Sequence, residues 1–147
     1  MLSLSKFYKK KKILVTGITG FKGAWLASWL LSLGAKVHGL GFNPNQNKTL
    51  FYKLNLHKKL NLKIIDVRDL KKINNFIKQI KPSVIFHLAA QPLIYTSYKK
   101  PHETFDINFR GSLNILESVR LNSSVKSLVI VTSDKCYESN NSTKGFK

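Results

Sequence analysis

The stretch Lys12-Ile13-Leu14-Val15-Thr16-Gly17-Ile18-Thr19-Gly20-Phe21-Lys22-Gly23-Ala24-Trp25 decides how the rest of the chain is read. Ile13 to Val15 form a short buried-strand run that breaks at Gly17. From Phe21, apolar residues recur at Trp25, Leu26, Trp29, Leu30 and Leu33, which is helical spacing, and Gly34 is placed to cap the helix C-terminus. Between strand and helix lies G-x-x-G-x-x-G, a variant of G-x-G-x-x-G. Gly17 allows a sharp turn, Gly20 a close approach of backbone to a pyrophosphate, and Gly23 tight packing of helix on strand. The helix start offers free N–H groups and a positive dipole end. Gly17, Thr19, Gly20, Phe21, Lys22 and Gly23 are therefore expected to bind the phosphates of a dinucleotide. A plain glycine-rich turn is the alternative.

Outward from this loop, strand-like runs alternate with helical patterns. Ala35 to Leu40, Leu62 to Val67, Val84 to Leu88 and Leu128 to Val131 read as further strands. Helical spacing appears at Leu70, Ile73, Phe76, Ile77 and Ile80, stopped by Pro82, and again at Phe105, Phe109, Leu113, Leu116 and Val119. This alternation indicates βαβ units and a parallel sheet. The expected fold is a Rossmann-like, doubly wound α/β sheet of order 3-2-1-4-5, truncated after the fifth strand. Residues 1–11 read as a basic extension and 12–147 as an incomplete NAD(P)-binding domain. The polar tail from Glu138 to Lys147 is an odd place for a domain to finish, so a C-terminal substrate domain is expected to be missing.

Composition agrees with one domain: 147 residues, 43% hydrophobic and 22% charged. A single cysteine, Cys136, excludes a disulfide framework. The four histidines share no ligand spacing, so no metal is expected. No apolar run approaches the roughly 18 residues of a membrane span, and no secretory signal opens the chain, so a cytoplasmic location is expected. The net charge is +18, and the first 65 residues carry 12 lysines and no acid. Such basicity nominates nucleic acid. Yet the excess is nearly all scattered lysine, with three arginines, whereas base readers favour Arg for bidentate contacts. Nucleic acid is not expected to be the main partner.

Three further positions bear on the cofactor. Asp66, with Val67 beside it, closes the third strand, where its carboxylate could accept from an adenine amino group or cap the next helix. Leu88-Ala89-Ala90-Gln91 ends the fourth strand with small residues that let a cofactor lie against the backbone, or make an ordinary turn. The usual ribose-binding acid after the second strand is absent, and Asn43 stands there. An amide can bond a ribose hydroxyl but cannot repel a 2′-phosphate. NAD is thus favoured over NADP without excluding it.

Together with the glycine loop, His87-Leu88-Ala89-Ala90-Gln91-Pro92-Leu93, Ser97-Tyr98, Pro101, Asn108, Gly111 and Thr132-Ser133-Asp134-Lys135-Cys136-Tyr137 resemble the extended short-chain dehydrogenases/reductases. Within that NAD-dependent epimerase/dehydratase group, the closest resemblance is to the CDP-glucose 4,6-dehydratase family. It covers residues 12 to about 147 and less than half of a full-length member. The resemblance implies hydride removal at sugar C4, loss of water across C5 and C6, and hydride return to C6. It further implies that Ser133 bonds the C4 oxygen, Asp134 protonates the leaving hydroxyl, and Lys135 assists at C5. Asn108 matches the family's structural and catalytic asparagine, though a polar residue shaping its helix would read the same. Gly111-Ser112 replaces the usual Gly-Thr, and Ile94-Tyr95 stands where Val-Arg is common.

The family's Tyr-x-x-x-Lys base would follow Lys147. Tyr95 to Lys99 has the spacing but follows the wrong strand. The expectation is therefore a cofactor-binding piece, inactive alone, of an enzyme that works on a CDP-glucose-type nucleotide sugar as a homo-oligomer. Another epimerase or reductase of the group, or a non-enzymatic nucleotide- or RNA-binding module, are the alternatives.

Overall fold

The structure, a computed structural model, describes residues 3–42 and 49–133. Its centre is the predicted run: β1 (Lys12–Thr16) pairs in parallel with β2 (Lys36–Gly41) on one side and β4 (Val84–His87) on the other. Ile13 faces Val37 and Val84 across these two ladders. Adding β3 (Asn61–Ile64) and β5 (Ser127–Ile130) gives an all-parallel sheet of order β3-β2-β1-β4-β5, as the sequence pattern implied.

Side-chain alternation along β1 separates two cores. Ile13 and Val15 pack with Ala24, Ala27 and Leu30 of α2 (Phe21–Ser32) and with Phe51 of α3 (Leu50–Lys53). Leu14 points the other way, to Ile73, Phe76, Ile77 and Ile80 of α4 (Leu70–Ile80) and Ile115 of α7 (Gly111–Arg120). β1 is buried on both faces, which is why it reads as a continuous apolar run. Each fully buried Ile or Leu contributes about 2 kcal/mol of transfer free energy. A short helix, α1 (Leu4–Tyr8), precedes β1, and its Tyr8 packs against the first core. No described helix is long and apolar enough to cross a membrane.

Three sequence expectations are modified. Helix α2 forms with Gly34 in the left-handed region (φ +78°) behind it, but its buried face is Gly23, Ala24, Ala27 and Leu30. Phe21, Trp25 and Trp29 are exposed, because small residues let the helix lie close to the sheet. The stripe from Phe105 to Val119 is not one regular helix. It runs through α6 (Pro101–Phe105), a π-helical turn (Asp106–Arg110) and α7, and Phe105, Phe109, Leu113 and Leu116 face outward. Finally, β3 stops at Ile64; the Ile65 amide still bonds the Gly41 carbonyl (3.0 Å), after which Asp66 and Val67 turn off the sheet.

Candidate functional site

At the carboxyl ends of β1, β2 and β4 the chain opens a cleft of about 710 Å³. This is where a doubly wound sheet places ligands, beside the strand at which the winding reverses. Gly17, Thr19, Gly20, Phe21, Lys22 and Gly23 line one side; Leu88, Ala89, Ala90 and Gln91 line another; Asp66 and Val67 close a third.

Two of the three loop glycines, Gly17 and Gly23, are sterically obligatory. Gly17 has φ +67°, and a Cβ on it would lie 2.8 Å from backbone atoms of both Leu88 and Ala89. A Cβ on Gly23 would collide with the Gly17 carbonyl. Gly20 is the N-cap of α2 and supplies no side-chain cap, and the first turn holds no acid. The first-turn N–H groups of any helix lack intrahelical partners. Here Lys22 adds a cation where the dipole is already positive, a combination that an anion would relieve. The loop, the small residues opposite it and the cleft volume fit a dinucleotide.

Asp66 does not cap α4; Asp69 does, accepting from the Lys72 amide at 3.0 Å. The Asp66 carboxylate is held by Arg68, whose backbone N–H donates to Oδ1 at 2.9 Å and whose Nε lies 3.0 Å from both oxygens. Arg68 Nη2 adds a further donor. These hydrogen bonds, first of all the guanidinium's, hold the Asp66 carboxyl below the ordinary carboxylate range. With three N–H groups engaged, a carboxylate of about four acceptor positions keeps room for one more donor. Arg68 Nη1 also reaches Asp106 at 3.6 Å, and Asp106 forms an ion pair with Arg110 Nε at 2.7 Å. The turn after β3 is thereby tied to the π-helical turn.

Asn108 sits in that π-helical turn, a distortion that often marks functional positions. Its Oδ1 accepts from the Gln91 N–H at 2.8 Å and its Nδ2 donates to the Gln91 carbonyl at 3.2 Å. Ser133 is exposed and follows Thr132, which lines the cleft. Asn43, Asp134 and Lys135 lie outside the described residues. Tyr95, on α5 (Ile94–Lys99), is 70% exposed with Lys99 Nζ stacked 4.6 Å from its ring centroid, and neither residue lines the cleft.

Sequence reasoning missed several cleft residues: Gly41, Phe42, Ile107 and Thr132. For Gly41 a signal existed, since Gly39-x-Gly41 within a strand marks close approach. A Cβ on Gly41 would lie 2.8 Å from Thr19 Cγ2. It also missed Arg68 and the buried pair Thr16 and His87, whose Oγ1 and Nδ1 are 2.7 Å apart.

Comparison with known proteins now bears on the cleft. Residues 14–144 match the GDP-mannose 4,6 dehydratase family. The chain belongs to this family. Among its relatives, the CDP-glucose 4,6-dehydratase of Salmonella typhimurium is 40% identical over 141 residues, covering 96% of this chain and 39% of that protein. The GDP-mannose 4,6-dehydratase of Yersinia enterocolitica is 35% identical over 120 residues, covering 76% and 32%. The chain thus spans about two-fifths or less of these dehydratases. A solved epimerase from Methanothermobacter thermautotrophicus superposes with a TM-score of 0.81 at 26% identity, over 97% of this chain and 41% of that one. UDP-glucose 4-epimerase of Thermus thermophilus, solved in complex with NAD, gives 0.66 at 29% identity, over 75% and 34%. The resemblance noted from the motifs and the fold order both agree with these matches.

Proposed function

We propose that this chain is the dinucleotide-binding part of a sugar-nucleotide 4,6-dehydratase that converts CDP-glucose to CDP-4-keto-6-deoxyglucose and water, with NAD as its cofactor. The observation that carries the reading is the uncapped, acid-free start of α2, with Lys22 in its first turn, opening into the cleft opposite Leu88 to Gln91. The similarity to the Salmonella dehydratase across nearly the whole chain supports the substrate class.

In this reading the amides at Gly20 to Gly23 and the Lys22 ammonium bind the pyrophosphate. Asp66, with Val67, takes the adenine amino group through the acceptor position Arg68 leaves open. Asn43 bonds the ribose, and Leu88 to Gln91 give the cofactor a flat backbone wall. Bound NAD would supply the hydride acceptor for sugar C4 and the source of its return to C6. Ser133 bonds the C4 oxygen, Asp134 donates the proton that lets the C6 hydroxyl leave as water, and Lys135 stabilises negative charge developing next to C5. Asn108 fixes the Gln91 peptide at the edge of this site. The whole protein is proposed to act as a homo-oligomer in the cytoplasm; the outward apolar stripe of Phe109, Leu113 and Leu116 supports association.

Calorimetry with NAD and NADP tests the cofactor assignment: saturable heat with NAD, weaker with NADP, is expected, and no heat with either at millimolar levels sinks it. Both solved structures described above are epimerases, so the reaction is tested separately on a chain continued through its natural reading frame. A 4-keto-6-deoxy product from CDP-glucose supports the dehydratase, and an inverted C4 without loss of water would make it an epimerase.

A further inference from the structure

The wall at the end of β4 is pinned from behind by groups that do not line the cleft. Thr16 Oγ1 lies 2.7 Å from His87 Nδ1 and accepts from the Leu88 and Ala89 backbone N–H groups, each at 3.2 Å. Across the ring, His87 Nε2 is 3.3 Å from Ser112 Oγ, and the Ser112 hydroxyl donates to the Asn108 carbonyl at 2.7 Å. Thr16 is fully buried and His87 is 2% exposed.

Counting donors fixes the direction of each bond. A hydroxyl has one hydrogen and two lone pairs. Both lone pairs of the Thr16 hydroxyl face amide N–H groups, the Leu88 N–H being shared with the Thr16 carbonyl at 3.3 Å, which leaves only the hydroxyl hydrogen for His87. Nδ1 is therefore the acceptor and the ring proton sits on Nε2, aimed at Ser112. The Ser112 hydrogen is already committed to the Asn108 carbonyl, so the chain of bonds has a single sense. A second ring proton would point Nδ1–H at a hydroxyl whose lone pairs are taken, so Thr16 Oγ1 would have to release the Ala89 N–H or leave the Leu88 N–H to the Thr16 carbonyl alone.

We propose that His87, as its Nε2–H tautomer, is a positioning residue for the cleft: it holds the Thr16 hydroxyl in the one rotation that secures Leu88 and Ala89, and through Ser112 it locks that strand end to the turn carrying Asn108. The proposal rests on the dinucleotide reading of the cleft, because its consequence is the placement of the wall opposite the phosphate loop. Its two ends are set by one imidazole: Leu88 and Ala89 through Thr16, and Gln91 through Ser112 and Asn108. The groups facing the ring from β1 and α7 are the Thr16 and Ser112 hydroxyls, and β5 places Ile130 beside it in register. Burial pushes the imidazole down to about 4, so the ring is neutral at ordinary pH.

Nitrogen NMR of the 147-residue chain without ligand reads the tautomer directly. A protonated Nε2 and a bare Nδ1 are expected from about pH 8 down to about pH 5; a proton on Nδ1 in that range overturns the proposal. His87→Leu keeps an apolar filler and removes both nitrogens, whereas His87→Asn returns an acceptor near the Nδ1 position. With NAD as the probe, His87→Leu is expected to weaken binding about tenfold and His87→Asn to recover most of it. Amide hydrogen exchange at Leu88 and Ala89, measured without ligand, is expected to quicken in His87→Leu and to slow again in His87→Asn. If the unaltered chain binds no NAD while these amides respond, the dinucleotide reading falls and the pinning of the wall stands. If NAD affinity and exchange are both unchanged in His87→Leu, the proposal is wrong. Should His87→Leu fail to fold, the tautomer and the same two readouts on Ser112→Ala decide it, with unchanged values overturning it.

Discussion

The Asn108 carboxamide holds both polar groups of the Gln91 peptide, accepting its N–H at 2.8 Å and donating to its carbonyl at 3.2 Å. A side chain here does what a neighbouring strand would do, just beyond the point where β4 ends.

Asn108→Ala should therefore free two partly buried backbone groups at once. A loss of about 1–3 kcal/mol in unfolding free energy is expected, together with weaker NAD binding. Asn108→Asp should not rescue it, since a carboxylate oxygen would then face the Gln91 carbonyl. Denaturant midpoints at constant slope check both variants.

Arg68 holds the Asp66 carboxyl below its ordinary range, chiefly through its side-chain hydrogen bonds. A depressed carboxyl stabilises the fold above its unfolded value of 3.8, and this contribution is lost as pH falls through the lower folded value. Arg68→Ala should flatten that acid-side loss and lower stability at neutral pH. Thermal melts of both chains between about pH 7 and about pH 2 show it, and parallel curves would contradict it.

His87 makes the opposite demand on protons. Its ring stays neutral in the fold down to about 4, while in the unfolded chain it titrates near 6.5. Between those values the unfolded state binds more protons, so stability falls on acidification, by about 3 kcal/mol at most. His87→Asn should make this slope shallower whatever its effect on neutral-pH stability, leaving the smaller share of His38, which burial also lowers. A wild-type melting temperature that is flat between about pH 6.5 and about pH 4 would contradict it.

Two glycines with positive φ should respond differently to alanine. At Gly17 the new Cβ meets backbone on Leu88 and Ala89, which cannot swing away, and a loss of about 2–4 kcal/mol is expected. At Gly34 the nearest atom is Lys9 Cγ at 3.6 Å, so only the conformational strain of about 1 kcal/mol remains. Equal losses in the two variants would mean that the close approach at Gly17 costs nothing.

The fold was legible because its strongest signals are local. The β1 run, the glycine loop and the helical spacing of 70–80 each lie within one short window, and the order of strands follows from their alternation. What periodicity could not supply was the buried face. Phe21, Trp25 and Trp29 have the spacing of a core stripe, but Ala24 and Ala27 take the inside because their size lets α2 approach the sheet. The cleft residues of the loops were likewise readable from glycine spacing and small residues. The Thr16–His87–Ser112 connection was not, since its members are separated by 71 and 25 positions and meet only through the sheet. Nor did any spacing announce Arg68, whose partners depend on how the chain leaves β3.

Among the described residues, the two outermost strands differ in how they meet a stranger. β3 carries Lys63 and follows Lys58 and Lys59, so an approaching chain meets positive charge along that margin. From Ser127 to Val131 there is no charged side chain, and Val129 and Val131 are each more than two-fifths exposed. Unsatisfied ladder groups on such a strand act as a template for further pairing. At high concentration the 147-residue chain should therefore self-associate along β5 and not along β3, and a lysine placed at Val129 should keep it dispersed.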